Sequence, residues 1–170
     1  MGNEIQGEGD GEAEAFLADP VVTSLAAFGA PLLGVPKRAE LSLEETLVKA
    51  LPLARKEVSV LCCLPILLGR HADRIWWERV ELGAQQNGQV AVLGLVLELT
   101  ATFARKAELS TRAQKLREKV SGPPEYFFAL RNPSEGDWVQ KQTPELAKRW
   151  GFWMELREET LRNIFESNER

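Results

Sequence analysis

The side chains able to do chemistry are few and scattered. His71 is the only histidine among 170 residues, which excludes two-histidine metal sites, the HExxH kind included. As an acid/base group it would need a carboxylate such as Asp73 beside it; the plainer expectation is a polar cap between helices or a surface residue. Glu78 and Glu81 stand three apart, which puts both carboxylates on one helix face. There they would hold a metal or move a proton, or simply keep that face solvated. Glu98 is the single charge in a long apolar run. Fully buried, it would be an acid with a raised pKa; at the rim of a core it would be a paired carboxylate, which is the expectation. Cys62 and Cys63 are adjacent, form no CxxC motif and lie among apolar residues, so they read as inert buried thiols.

The loop motifs of catalysis are missing too: there is no GxSxG, GxxxxGK[ST] or GxGxxG. The run from Gly7 to Gly11 is glycine-rich, but Glu8 and Asp10 would repel a phosphate there. The expectation is a chain that is not an enzyme, uses no cofactor and ligates no metal.

The scaffold that must position these groups is organised around residues 89–105, QVAVLGLVLELTATFAR. Its valines favour a strand. Length argues otherwise, because as one strand the segment would span roughly 50 Å, against roughly 24 Å as a helix. It is short for a membrane span, and Glu98 near its middle argues further against one. Gly94 omits a side chain in mid-helix, a space that a neighbouring helix could use. Further helices follow from local signals: Asp19-Pro20 as N-cap and N1, and Ser42 with Glu45 as a capping box. Pro52 and Pro65 should kink or split the helices that contain them, and Gly69 should end the second. Asp73 reads as the N-cap of a helix over 74–86, and a charged surface helix should start at Ser110. Thr143-Pro144 should open a helix ending at Gly151, with a last helix from Glu155 to about Glu166.

The fold class expected is mainly α: a single-domain orthogonal helical bundle around a buried central helix at about 89–105. A short loop or β-hairpin insert belongs at about 125–142, where Tyr126-Phe127-Phe128 and Trp138-Val139 flank a turn-rich stretch. Residues 1–14 are acidic and glycine-rich without Lys or Arg and read as a flexible tail, leaving 15–170 as one helical domain. An ordered arm laid on a basic partner is the other reading of the tail. No basic stretch leads into an apolar one at the start, so no secretory signal is expected, and the localisation expected is cytoplasmic.

Functionally, the formal net charge of −4 gives no overall attraction to nucleic acid or to anionic membranes. Five tryptophans, Trp76, Trp77, Trp138, Trp150 and Trp153, offer large contact areas. Trp76 and Trp77 point about 100° apart on a helix, so one of them should be exposed. The apolar Pro-Gly segment 28–36 either joins the core or awaits a partner. The expectation is a non-catalytic cytosolic protein-interaction subunit of the antitoxin, immunity or adaptor kind. Its partner-binding residues would be Phe28, Leu32, Leu33, Trp77 and Trp153; the partner would be another protein, encoded nearby or a second copy of the chain. Two other classes stay open. One is a DNA-binding regulator with a helix-turn-helix over 143–166, where Ala147 and Gly151 have the motif's spacing but Glu155, Glu158, Glu159 and Glu166 oppose phosphate. An αα-hairpin closing the domain fits that segment better. The other is an enzyme or small-ligand protein with a pocket lined by Glu78, Glu81, Glu98 or His71.

Overall fold

A computed structural model describes residues 8–169. Among the described residues, ten α-helices carry the fold. They are α1 (Glu8–Ala18), α2 (Pro20–Ala27), α3 (Leu43–Ala54), α4 (Val58–His71), α5 (Trp77–Gln86), α6 (Val90–Ala104), α7 (Ala107–Arg117), α8 (Gly136–Gln142), α9 (Glu145–Arg149) and α10 (Glu158–Asn168). Two short strands, β1 (Glu125–Tyr126) and β2 (Phe152–Trp153), pair in parallel.

The apolar run folds as the expected central helix. α6 buries Val92, Leu93, Leu95, Val96, Leu97 and Leu99 and packs on α4, α7, α5, α3 and α10. Glu98 escapes that burial only in part. Arg105 ends the helix in the left-handed region (φ 54°), a conformation unusual for a residue with a Cβ. The turn lets α7 fold straight back along α6.

Local signals hold where the capping group has no competing partner. Asp19 accepts the Val21 amide at 2.7 Å, with Pro20 opening α2. Ser42 and Glu45 form the complete reciprocal box. The Ser42 amide, and then its hydroxyl, hold the Glu45 carboxyl below its ordinary value.

Other signals yield to tertiary packing. Neither Pro52 nor Pro65 splits its helix. Pro52 falls in the last turn of α3, where little helix remains to disturb, and Pro65 is buried against the core. Gly69 does not end α4, which runs on to His71; it lies inside the helix where the Phe165 ring of α10 packs against it. Asp73 is not a cap. It lies in a single 3₁₀ turn (Ala72–Arg74) and faces Lys106 at 3.9 Å, while α5 starts three residues later than the Arg74 expected from sequence, at Trp77.

Residues 8–14, read from composition as part of a flexible tail, are helical within α1; residues 1–7 lie outside the described part. The insert after α7 is a loop with a strand, but the strand does not form a hairpin inside 125–142. Glu125 pairs with Phe152 and Tyr126 with Trp153, so the strand's partner lies beyond α8 and α9.

Arg55, the C-cap of α3, holds this crossover from outside. Its Nη2 donates to the Tyr126 carbonyl at 2.7 Å, its Nε to the Phe127 carbonyl at 3.1 Å, and its Nη1 to Glu125 at 3.3 Å. Its guanidinium also stacks over the rings of Phe127 and Phe152, a cation–π arrangement that favours arginine over lysine.

Candidate interaction surface

The groups with chemical potential do not converge on one site. His71 Nε2 donates to the Phe28 carbonyl at 2.8 Å, and its ring meets Phe28 edge-on. Glu81 is engaged by Arg112 at 2.7 Å, while Glu78 on the same helix is exposed. Burial pushes the Cys63 thiol up to about 12, with Cys62 beside it as a lesser cause, and burial raises Cys62 as well. Both are therefore poor nucleophiles.

Glu98 is the rim carboxylate expected from sequence. It accepts the indole N–H of Trp150 at 2.6 Å and pairs with Arg149 at 2.8 Å. The Trp150 ring lies flush on Gly94, one helical turn before Glu98, and Arg117 covers the ring from α7 at 5.6 Å. The space left by Gly94 is thus filled by an indole rather than by a neighbouring helix. This arrangement yields a graded prediction. Glu98→Gln keeps an acceptor for the indole and loses only a half-exposed ion pair, so it should cost under about 1 kcal/mol. Glu98→Leu orphans a buried N–H and should cost about 2 kcal/mol. Urea unfolding of the two variants checks this; equal costs would remove the indole's acceptor from the account.

The cleft beside α6 is apolar, with Leu95, Leu99, Leu146, Met154 and Leu161 among its walls and Glu158 its one carboxylate. Among the described residues, no group of three His, Cys, Asp or Glu side chains could hold a metal ion, and no helix is long and apolar enough to cross a membrane.

Residues 143–166 do not make a helix-turn-helix, nor an αα-hairpin. α9 has five residues, β2 follows it, and α10 begins at Glu158 rather than Glu155. Thr143 does not cap α9. Its hydroxyl donates to the Val139 carbonyl at 2.7 Å and accepts the Met154 amide at 3.0 Å, tying α8 to the segment after β2.

The expected partner-binding residues separate into three groups. Trp77 is core, 7 % exposed, with its indole N–H on the Ala72 carbonyl and Arg112 over its ring. Trp153 is half-buried against Tyr126 at 5.1 Å, and Phe28 and Leu32 are half-buried on the core. Only Leu33 is fully presented, at 96 % exposure. Gly34, at φ 74°, lets the chain turn so that Leu33 points out and Val35 in.

The adjacent tryptophans differ in the way a helix start allows. Trp76 is the exposed one, at 63 %. Because α5 starts at Trp77, Trp76 is the N-cap, with its amide on the Glu44 carboxylate at 3.0 Å. Trp138 on α8 is exposed as well. No sequence signal marks either, since exposure here depends on where a helix begins and what covers it. Comparison of the chain with known protein families, with curated proteins and with solved structures found no match in any of the three.

Proposed function

We propose that the chain is a non-catalytic, cytoplasmic protein-interaction subunit of the antitoxin, immunity or adaptor kind. It would grip a partner protein through large apolar side chains displayed on an ordered frame. The observation that carries this reading is Trp76: an indole 63 % exposed on a backbone fixed by Glu44 and by the start of α5. An anchor fixed in this way gives up little conformational freedom when it is covered, and tryptophan is the residue most enriched at binding hot spots. Glu44 accepts the Trp76 amide, and Arg79, three residues on, pairs with Glu45 at 3.5 Å across the α3–α5 corner. An apolar centre with a charged rim is the usual anatomy of such patches.

The experiment compares wild type, Trp76→Ala and Leu33→Asp as affinity-tagged baits expressed in the native host. Both variants should melt within about 2 °C of wild type, because neither side chain packs in the core. Trp76→Ala should weaken capture of the wild type's partner by about 30-fold or more, the effect of losing a hot spot. Unchanged capture by both variants would sink the reading.

A further inference from the structure

α1 is attached to the rest of the fold by very little. Residues 11–15 and Ala18 are exposed; among the described side chains of α1, Phe16 and Leu17 are the ones that reach inward. Among the described residues, no side-chain hydrogen bond or ion pair joins α1 to another element. The helix contains Gly9 and Gly11 and has no basic residue in its last turn, so its intrinsic stability is low. Eleven residues are also too few for a helix to persist in water unaided.

What Phe16 and Leu17 cover is a small apolar cluster, Val22, Ala26 and Val35, bordered by Leu32 and Leu53; Phe16, Leu32 and Leu53 also pack against the main core. Leu33, nearly fully exposed, belongs to the same loop as Leu32 and Val35. If α1 lifts, an apolar seat opens beside an apolar side chain already on display. α1 is acidic, with Glu8, Asp10, Glu12 and Glu14 and no base; Lys37 and Arg38 follow Val35 in the chain, and the acids Asp19 and Glu40 bound the segment that holds them.

We infer that α1 is a displaceable cap on a docking seat formed by Val22, Ala26, Leu32, Val35 and Leu53, and that the seat's other occupant is an acidic amphipathic segment of a partner protein. The chemistry of that occupant is read from α1 itself, which already fills the seat: adjacent bulky apolar side chains on an acidic helix. The inference rests on the chain being an interaction subunit and adds which partner element it takes and what competes with it. An intramolecular cap lowers the apparent affinity of any rival by the fraction of time the seat is open.

Two measurements on the full chain test this. By hydrogen exchange, amides of residues 12–18 should exchange about 100-fold faster or more than those of residues 22–27, because α1 opens without the bundle. Equal protection would overturn the inference. In the second, isotope-labelled wild type and a Phe16→Ala/Leu17→Ala double variant are titrated with a peptide of residues 8–19, EGDGEAEAFLAD, and followed by NMR. The double variant should bind it about tenfold tighter or more than wild type, with shifts at Val22, Ala26, Leu32 and Val35. The same peptide with both apolar residues changed to Ala should give no shifts. A folded double variant that does not respond at those residues, or one that unfolds because α1 is integral, overturns the proposal. The titration is blind to Trp76, so failure here is separable from failure of the bait experiment.

Discussion

Gly94→Ala should destabilise the protein by about 3 kcal/mol, although helix propensity alone favours the change by about 1 kcal/mol. The reason is the indole of Trp150. A Cβ at position 94 would stand 2.7 Å from Trp150 Cε3 and closer still to Cζ3 and Cη2. Nor can the ring retreat freely, since its N–H is held by Glu98 and its face is covered by Arg117. Position 94 is on α6, among its buried residues, so backbone movement there would disturb the elements packed on that helix. Urea unfolding gives the measurement, and a second-site change locates the cause. Gly94→Ala combined with Trp150→Leu should be no less stable than Trp150→Leu alone, because the smaller side chain removes the overlap. A Gly94→Ala variant as stable as wild type would show that the ring does not lie where it is described.

The second large effect is expected at Arg55. Replacing it with Met keeps much of the aliphatic length but removes the donors to the Tyr126 and Phe127 carbonyls and the stack on two rings. Hydrogen bonds from a charged donor contribute about 1.5–3 kcal/mol each, less what water recovers, so a loss of about 3 kcal/mol is expected. The pair with Glu125 adds little, because that carboxylate is 61 % exposed. Arg55→Lys should not rescue, since one ammonium cannot reproduce the fork that spans two successive carbonyls. Thermal melting followed by near-ultraviolet circular dichroism, which senses Tyr126 against Trp153, reads both effects. A Lys variant indistinguishable from wild type would reduce Arg55 to a point charge.

Much of the scaffold was legible because it is locally encoded. The Ser42–Glu45 box, Asp19 before Pro20 and the apolar length of residues 90–104 each specify structure within a few residues of themselves, and each is present as expected. Glu98 was also readable as a rim carboxylate, from the cost of burying a charge alone. Some misreadings concern residues whose surroundings are set from afar. Thr143 looks like a helix cap, but Met154 takes its hydroxyl. Asp73 looks like another and faces Lys106 instead. Gly69 looks like a helix stop but lies inside α4, against Phe165. Trp76 and Trp77 are indistinguishable as residue types, and a three-residue shift in where α5 starts decides which is presented. No local rule locates β1's partner either, because Phe152 lies on the far side of two helices.

The parallel pairing of β1 with β2 closes the intervening chain into a non-covalent ring, fastened by Arg55 at its first end and by Trp150 beside its last. The entropy lost in closing such a ring grows only by about 0.6 kcal/mol for each doubling of its length. The cost of closing the ring therefore depends only weakly on how much chain runs between its ends. Evolution can lengthen, shorten or redecorate the exposed turn at 131–135 at small thermodynamic cost. It has no such latitude at positions 55, 94 and 150, where one changed side chain loosens the whole ring.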